Sequence, residues 1–96
     1  MKHKIRKVVN LMKTMYTVVA LQHGESFRWC VEDIVRANSI VKNLCIYSMR
    51  EKENLSFSIY DKNALEIVKG KYWKGNNYYK YYDLRCGFLE VKCSLV

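Results

Sequence analysis

The apolar residues change their period near Asn43, and that change restricts the fold more than any other feature of the chain. Before it, Phe27, Cys30, Val31, Ile34, Ala37 and Val41 recur at the three-and-four spacing of one helical face. After it, Leu55, Phe57 and Ile59 alternate with Ser56, Ser58 and Tyr60. Leu89, Val91, Cys93 and Leu95 likewise alternate with Glu90, Lys92 and Ser94. Period two is the signature of a strand with one buried and one wetter face. Helical period first and strand period afterwards imply the α+β class: N-terminal helices, the second of them central, packed on an antiparallel sheet of four to five strands.

The remaining segments are read on the same basis. Ile5, Val8, Val9, Met12, Met15, Tyr16 and Val19 follow helical spacing and predict a first helix that gives way to extended chain near Met15. The competing reading is a strand over 14–21, because Thr17, Val18 and Val19 are β-branched. Gly24 breaks either element. The central helix is expected over 27–42, capped by Ser26, with Glu32 and Arg36 as a surface pair four residues apart. A strand over 44–49 and a charged turn over 50–54 then lead into the strand over 55–60. Asn63 and Glu66 imitate a capping box, so 64–69 reads as a short helix closed by Gly70, with a strand over the same residues as the alternative.

Length and punctuation favour one domain over 1–96. A chain of 96 residues buries roughly 65% of its unfolded surface, enough for a modest core. There is no proline, no Gly/Ser linker and no internal repeat to mark a boundary. No apolar run approaches the ~18 residues that span a bilayer. The start, MKHKIRK followed by apolar residues, imitates a secretory leader, but Asn10 and Lys13 interrupt the run and no clean cleavage site follows. An intracellular, cytoplasmic or otherwise reducing compartment is therefore expected, with Cys30, Cys45 and Cys93 serving as small core hydrophobes and Cys86 exposed in a turn.

Charge position says more than charge total. The net charge is +8 with a pI near 9.4. Residues 1–24 hold Lys2, Lys4, Arg6, Lys7 and Lys13 and no acid; residues 69–80 hold Lys69, Lys71, Lys74 and Lys80 and no acid. These two segments account for +5 and +4, so the rest of the chain sums to −1. A basic excess concentrated in two places points to polyanions such as nucleic acid, anionic lipid or an acidic protein face.

The second basic segment is also aromatic. Lys71, Tyr72, Trp73 and Lys74, then Tyr78, Tyr79, Lys80, Tyr81 and Tyr82, flank Gly75, Asn76 and Asn77, residue types that close tight turns. Residues 69–87 therefore read as an aromatic-basic hairpin and as the candidate binding element. Tyr72, Trp73, Tyr78, Tyr79, Tyr81 and Tyr82 offer rings for stacking; Lys69, Lys71, Lys74, Lys80 and Arg85 offer cations for phosphates. Alternation gives each strand of the hairpin two faces, and a hairpin that packs one face on the core still displays aromatics on the other. Lys2, Lys4, Arg6, Lys7 and Lys13 form a second contact zone. The bland explanation is that tyrosines are ordinary strand formers and that lysines protect a sheet edge.

Catalytic motifs are thin. His3 and His23 are the only histidines, no Ser/His/Asp or Cys/His grouping has argued spacing, and the acidic pairs Glu32-Asp33 and Glu51-x-Glu53 sit on a helix surface and in a turn. The cysteines lack the close pairs of a structural zinc site. No metal or other cofactor is called for. The expected function is non-catalytic binding of nucleic acid, RNA or single-stranded DNA before duplex. A small phage- or virus-type inhibitor or adaptor docking on an acidic host protein surface is the alternative, and association as a homodimer stays open. One enzyme class also survives: metal-independent ribonuclease toxins, which cut RNA with lysine, arginine and tyrosine on an antiparallel sheet, have a similar size, basicity and helix-then-sheet order.

Overall fold

The structure, a computed structural model, describes residues 15–93, and for 88–93 the backbone alone. Six strands and one helix follow in the order β1 (Tyr16–Gln22), β2 (Glu25–Val31), α1 (Ile34–Glu51), β3 (Leu55–Tyr60), β4 (Glu66–Tyr72), β5 (Tyr78–Asp83) and β6 (Phe88–Cys93). The strands form one antiparallel sheet in the order β2-β1-β3-β4-β5-β6. The α+β class agrees with the sequence, and β4 pairs with β5 across the turn at Gly75, as the hairpin reading of that stretch requires. The sheet is larger than the expected four to five strands, and one helix stands among the described residues where two were expected. The first predicted helix, as far as residue 14, lies outside the described residues.

The main correction falls on residues 25–54. A strand, β2, occupies 25–31, and the helix begins seven residues later than the 27–42 reading places it. Phe27, Trp29 and Val31 pair with Ala20, Val18 and Tyr16 of β1 on one face of the sheet, while Ser26, Arg28 and Cys30 take the other. The apolar residues Phe27, Cys30 and Val31 satisfied helical spacing by coincidence with this alternation. The turn decides the matter: His23 and Gly24 both have positive φ, 54° and 78°, and close a two-residue hairpin of the primed type that matches strand twist. Such a turn commits the chain after Gly24 to pairing back on β1. Cys30 is exposed as a consequence and is not a core cysteine.

Asp33, not Ser26, caps the helix, its carboxylate accepting from the Arg36 N–H at 2.8 Å. Glu32 precedes the cap, so the Glu32–Arg36 helix pair does not exist. The buried stripe is Ala37, Val41, Cys45, Ser48 and Met49, with Ile34, Ile40 and Leu44 partly buried beside it. The helix thus runs through 44–49, the first strand of the sequence reading, because Leu44, Cys45, Ser48 and Met49 continue its three-and-four spacing. It ends at Lys52, left-handed at φ 57°; the N–H groups of Lys52 and Glu53 both close on the Ser48 carbonyl.

Residues 66–72 take the strand alternative. Asp61 organises the preceding loop: its carboxylate accepts from the N–H groups of Asn63 and Leu65 at 2.8 and 3.0 Å, and Ala64 turns the chain at φ 62°. Asn63 and Glu66 therefore form no capping box, and Gly70 lies inside β4 rather than closing a helix.

One face of the sheet is covered by α1 and holds the core. Its central cross-strand row reads Phe27, Ala20, Phe57, Gly70, Tyr81, alternating large and small side chains across five strands. The neighbouring row reads Trp29, Val18, Ile59, Val68 and Asp83. Val18, Ala20, Leu55, Phe57, Ile59, Val68 and Tyr72 are buried there against the helix, and each large aliphatic or aromatic among them contributes about 1.5–3 kcal/mol of burial. A buried polar contact crosses the layer: Gln22 donates to Ser48 at 2.5 Å.

Candidate functional site

The hairpin of β4 and β5 has two faces with different fates. The pairs Lys71↔Lys80 and Lys69↔Tyr82 share the face opposite the helix, and Gly70↔Tyr81 shares the core face. Tyr72, Tyr79 and Tyr81 are accordingly buried core residues. The Tyr72 hydroxyl donates to the Asn76 carbonyl at 2.8 Å and so holds its own turn, while the Tyr81 hydroxyl donates to Asn38 Oδ1 at 2.6 Å and ties β5 to α1. Half of the aromatic set singled out in the sequence is thus spent on folding and leaves no ring face for a ligand.

On the open face, Lys69, Lys71, Lys80 and Tyr82 line a shallow concavity of about 740 Å³ together with Ser56, Ser58, Glu66, Gly70 and Gly87. A smaller depression, about 50 Å³, continues it past Lys71 and Lys80 to Trp73, Asn76 and Tyr78. Trp73 is 52% exposed, and the Lys71 ammonium lies 5.4 Å from its ring centroid. Lys71 and Lys80 stand directly opposite each other, an arrangement that repels. Among the described residues none of Lys69, Lys71 and Lys80 is in an ion pair. Glu66, the one acid among the described residues of the concavity wall, accepts from the Ser58 hydroxyl at 2.5 Å.

Two of the predicted cations are placed elsewhere. Arg85 is held by Asp83, its Nη2 and Nε donating to the two carboxylate oxygens at 3.1 and 3.2 Å. That side-chain hydrogen bond is the main reason the Asp83 carboxyl sits below its ordinary pKa. Lys74 is exposed in the turn, where its N–H donates to Asn54 Oδ1 at 2.9 Å and anchors the loop to the α1–β3 connection. Lys2, Lys4, Arg6, Lys7 and Lys13 lie outside the described residues.

Sequence reading missed Ser56, Ser58 and Glu66. The serines had a signal, since they occupy the polar positions of the alternating strand 55–60; Glu66 had none, because its place depends on the strand assignment of 66–72. Among the described residues no group of three His, Cys, Asp or Glu could hold a metal ion, and no helix is long and apolar enough to cross a membrane. Comparison of the chain with family models, with curated proteins and with solved structures finds no match.

Proposed function

We propose that this protein binds single-stranded nucleic acid on the open face of its sheet. The observation that carries the reading is the cross-strand cluster Lys69, Lys71 and Lys80, bordered by Trp73, Tyr78 and Tyr82. Like charges held side by side without an ion-pair partner are relieved by a polyanion, and the bordering rings give bases a surface on which to stack. A curved or flat sheet face admits a splayed strand more readily than a duplex, whose bases are already stacked on one another.

The test is a salt titration of oligonucleotide binding, followed by Trp73 fluorescence in a Trp29→Phe background. Three phosphate contacts predict a log–log slope of about −2 on single strands, hence roughly twentyfold weaker binding between 50 and 200 mM salt, with any N-terminal contacts steepening it. Lys71→Ala and Lys80→Ala should each flatten the slope by about 0.7. Absence of binding at low salt, or slopes untouched by both variants, refutes the proposal.

A second reading uses the same exposed Trp73, a residue type that dominates protein interfaces: an inhibitor or adaptor seated on an acidic protein surface. It predicts a stoichiometric protein partner lost on Trp73→Ala with no oligonucleotide affinity. Recovery of bound RNA on a gel separates binding from cleavage; shortened RNA would point to the ribonuclease class instead.

A further inference from the structure

We infer that the Glu66 carboxylate reads the ribose 2′-hydroxyl, so that the open face takes RNA in preference to DNA. The inference rests on the proposed single-strand binding and names the sugar that the same concavity selects. A carboxylate is an adverse group in a site for phosphates, because it opposes the field of the three lysines. Glu66 nevertheless lines the concavity, and no lysine or arginine among the described residues neutralises it by an ion pair. Its described contact is the Ser58 hydroxyl, which donates to Oε2.

An ionised carboxylate offers about four acceptor sites. Ser58 fills one, which leaves the rest for donors supplied by a ligand. Ser58, having donated its proton, keeps its own oxygen as an acceptor, and Ser56 adds a second hydroxyl on the same wall. The wall therefore suits a ligand group that both donates and accepts. A ribose 2′-hydroxyl is such a group and is what distinguishes RNA from DNA at a given site. The position is consistent: Lys69 and Lys71 follow Glu66 along β4, and Tyr82 pairs with Lys69, so phosphate, sugar and base each meet a matching side chain within a few residues.

The experiment compares three dodecamers on the full-length protein at one salt concentration: uridine, deoxyuridine and 2′-O-methyluridine. Base and phosphate are common to all three, and the methylated sugar can accept but not donate. The ribose form should bind roughly tenfold tighter than either of the others, the scale of one hydrogen bond to a charged group. Glu66→Ala should bring the three together, leaving deoxyuridine affinity equal or higher because a negative charge is gone, while the salt slope stays as in the parent. Equal affinity of the parent for all three, with salt-dependent binding intact, overturns this inference and leaves the binding face standing. A ribose preference that survives Glu66→Ala overturns the assignment to Glu66. Failure of all three to bind overturns the underlying function as well. Should Glu66→Ala fold poorly, the parent protein still overturns the inference if it binds the three sugars alike.

Discussion

Gly70→Ala should unfold this domain far more readily than so small a change suggests. Gly70 lies in the interior of β4, between Phe57 of β3 and Tyr81 of β5. A Cβ built there would overlap the Lys80 carbonyl oxygen and Phe57 Cζ, and would stand 2.8 Å from Phe57 Cε1. The ring has little room to swing, being buried and tilted against Tyr81 with centroids 6.4 Å apart. The carbonyl belongs to the β5 backbone and cannot move without disturbing the β4–β5 pairing. Overpacking costs about 1–3 kcal/mol where side chains can yield, and a backbone obstacle puts this site at the upper end or beyond. Against that, alanine stiffens the unfolded chain and returns about 0.4–1 kcal/mol. The net loss is about 2–3 kcal/mol, which lowers the melting temperature by about 10–20 °C for a domain of this size. Thermal and urea unfolding followed by far-ultraviolet circular dichroism measures it. Adding Phe57→Leu should recover part of the loss, because the ring contacts go while the carbonyl contact stays. A Gly70→Ala protein melting within about 3 °C of the parent would refute the steric argument.

Three further outcomes are expected. Lys52→Gly and Ala64→Gly place glycine at φ 57° and 62°, and each should stabilise by about 0.5–1 kcal/mol in urea unfolding, the relief of left-handed strain less the added freedom of the unfolded chain. Ser48→Ala should cost about 1–3 kcal/mol by leaving the Gln22 amide buried without its partner, and Gln22→Leu in the same chain should return most of it, a cycle read by the same assay. Burial pushes the Cys45 thiol up to about 12 from an ordinary 9.0, so native Cys45 should resist thiol reagents at pH 8 while exposed Cys30 and Cys86 react. Because the folded pKa is the higher one, the stability this thiol contributes is complete below about pH 9 and declines as pH rises toward 12, a trend that alkaline melting curves of the parent and Cys45→Ala would separate.

Local pattern and tertiary structure divided the work at identifiable residues. Alternation alone was enough for 55–60, where every second residue is apolar, and turn-forming residues alone were enough for the hairpin around Gly75. The concentration of lysines in 69–80 was equally visible, since charge can be counted without a fold. Periodicity failed at 27–31, where Phe27, Trp29 and Val31 alternate while Phe27, Cys30 and Val31 also fit a helix. Pairing with β1 through the His23-Gly24 turn chose between the two, and it moved the helix onto residues that had looked like a strand. At the candidate site the sequence named the stretch on which the proposal rests but could not say which of its aromatics would be buried. Alternation sorted the six rings onto two faces without saying which face packs. Burial under α1 took Tyr72, Tyr79 and Tyr81 into the core, and strand register left Lys69, Lys71, Lys80 and Tyr82 on the open side beside Ser58 and Glu66. Composition and period determined that this chain is a basic α+β domain with an aromatic hairpin. Which face of that hairpin is the open one was decided only when α1 covered the other, because a strand's two faces differ by what packs on them and not by anything the strand itself contains.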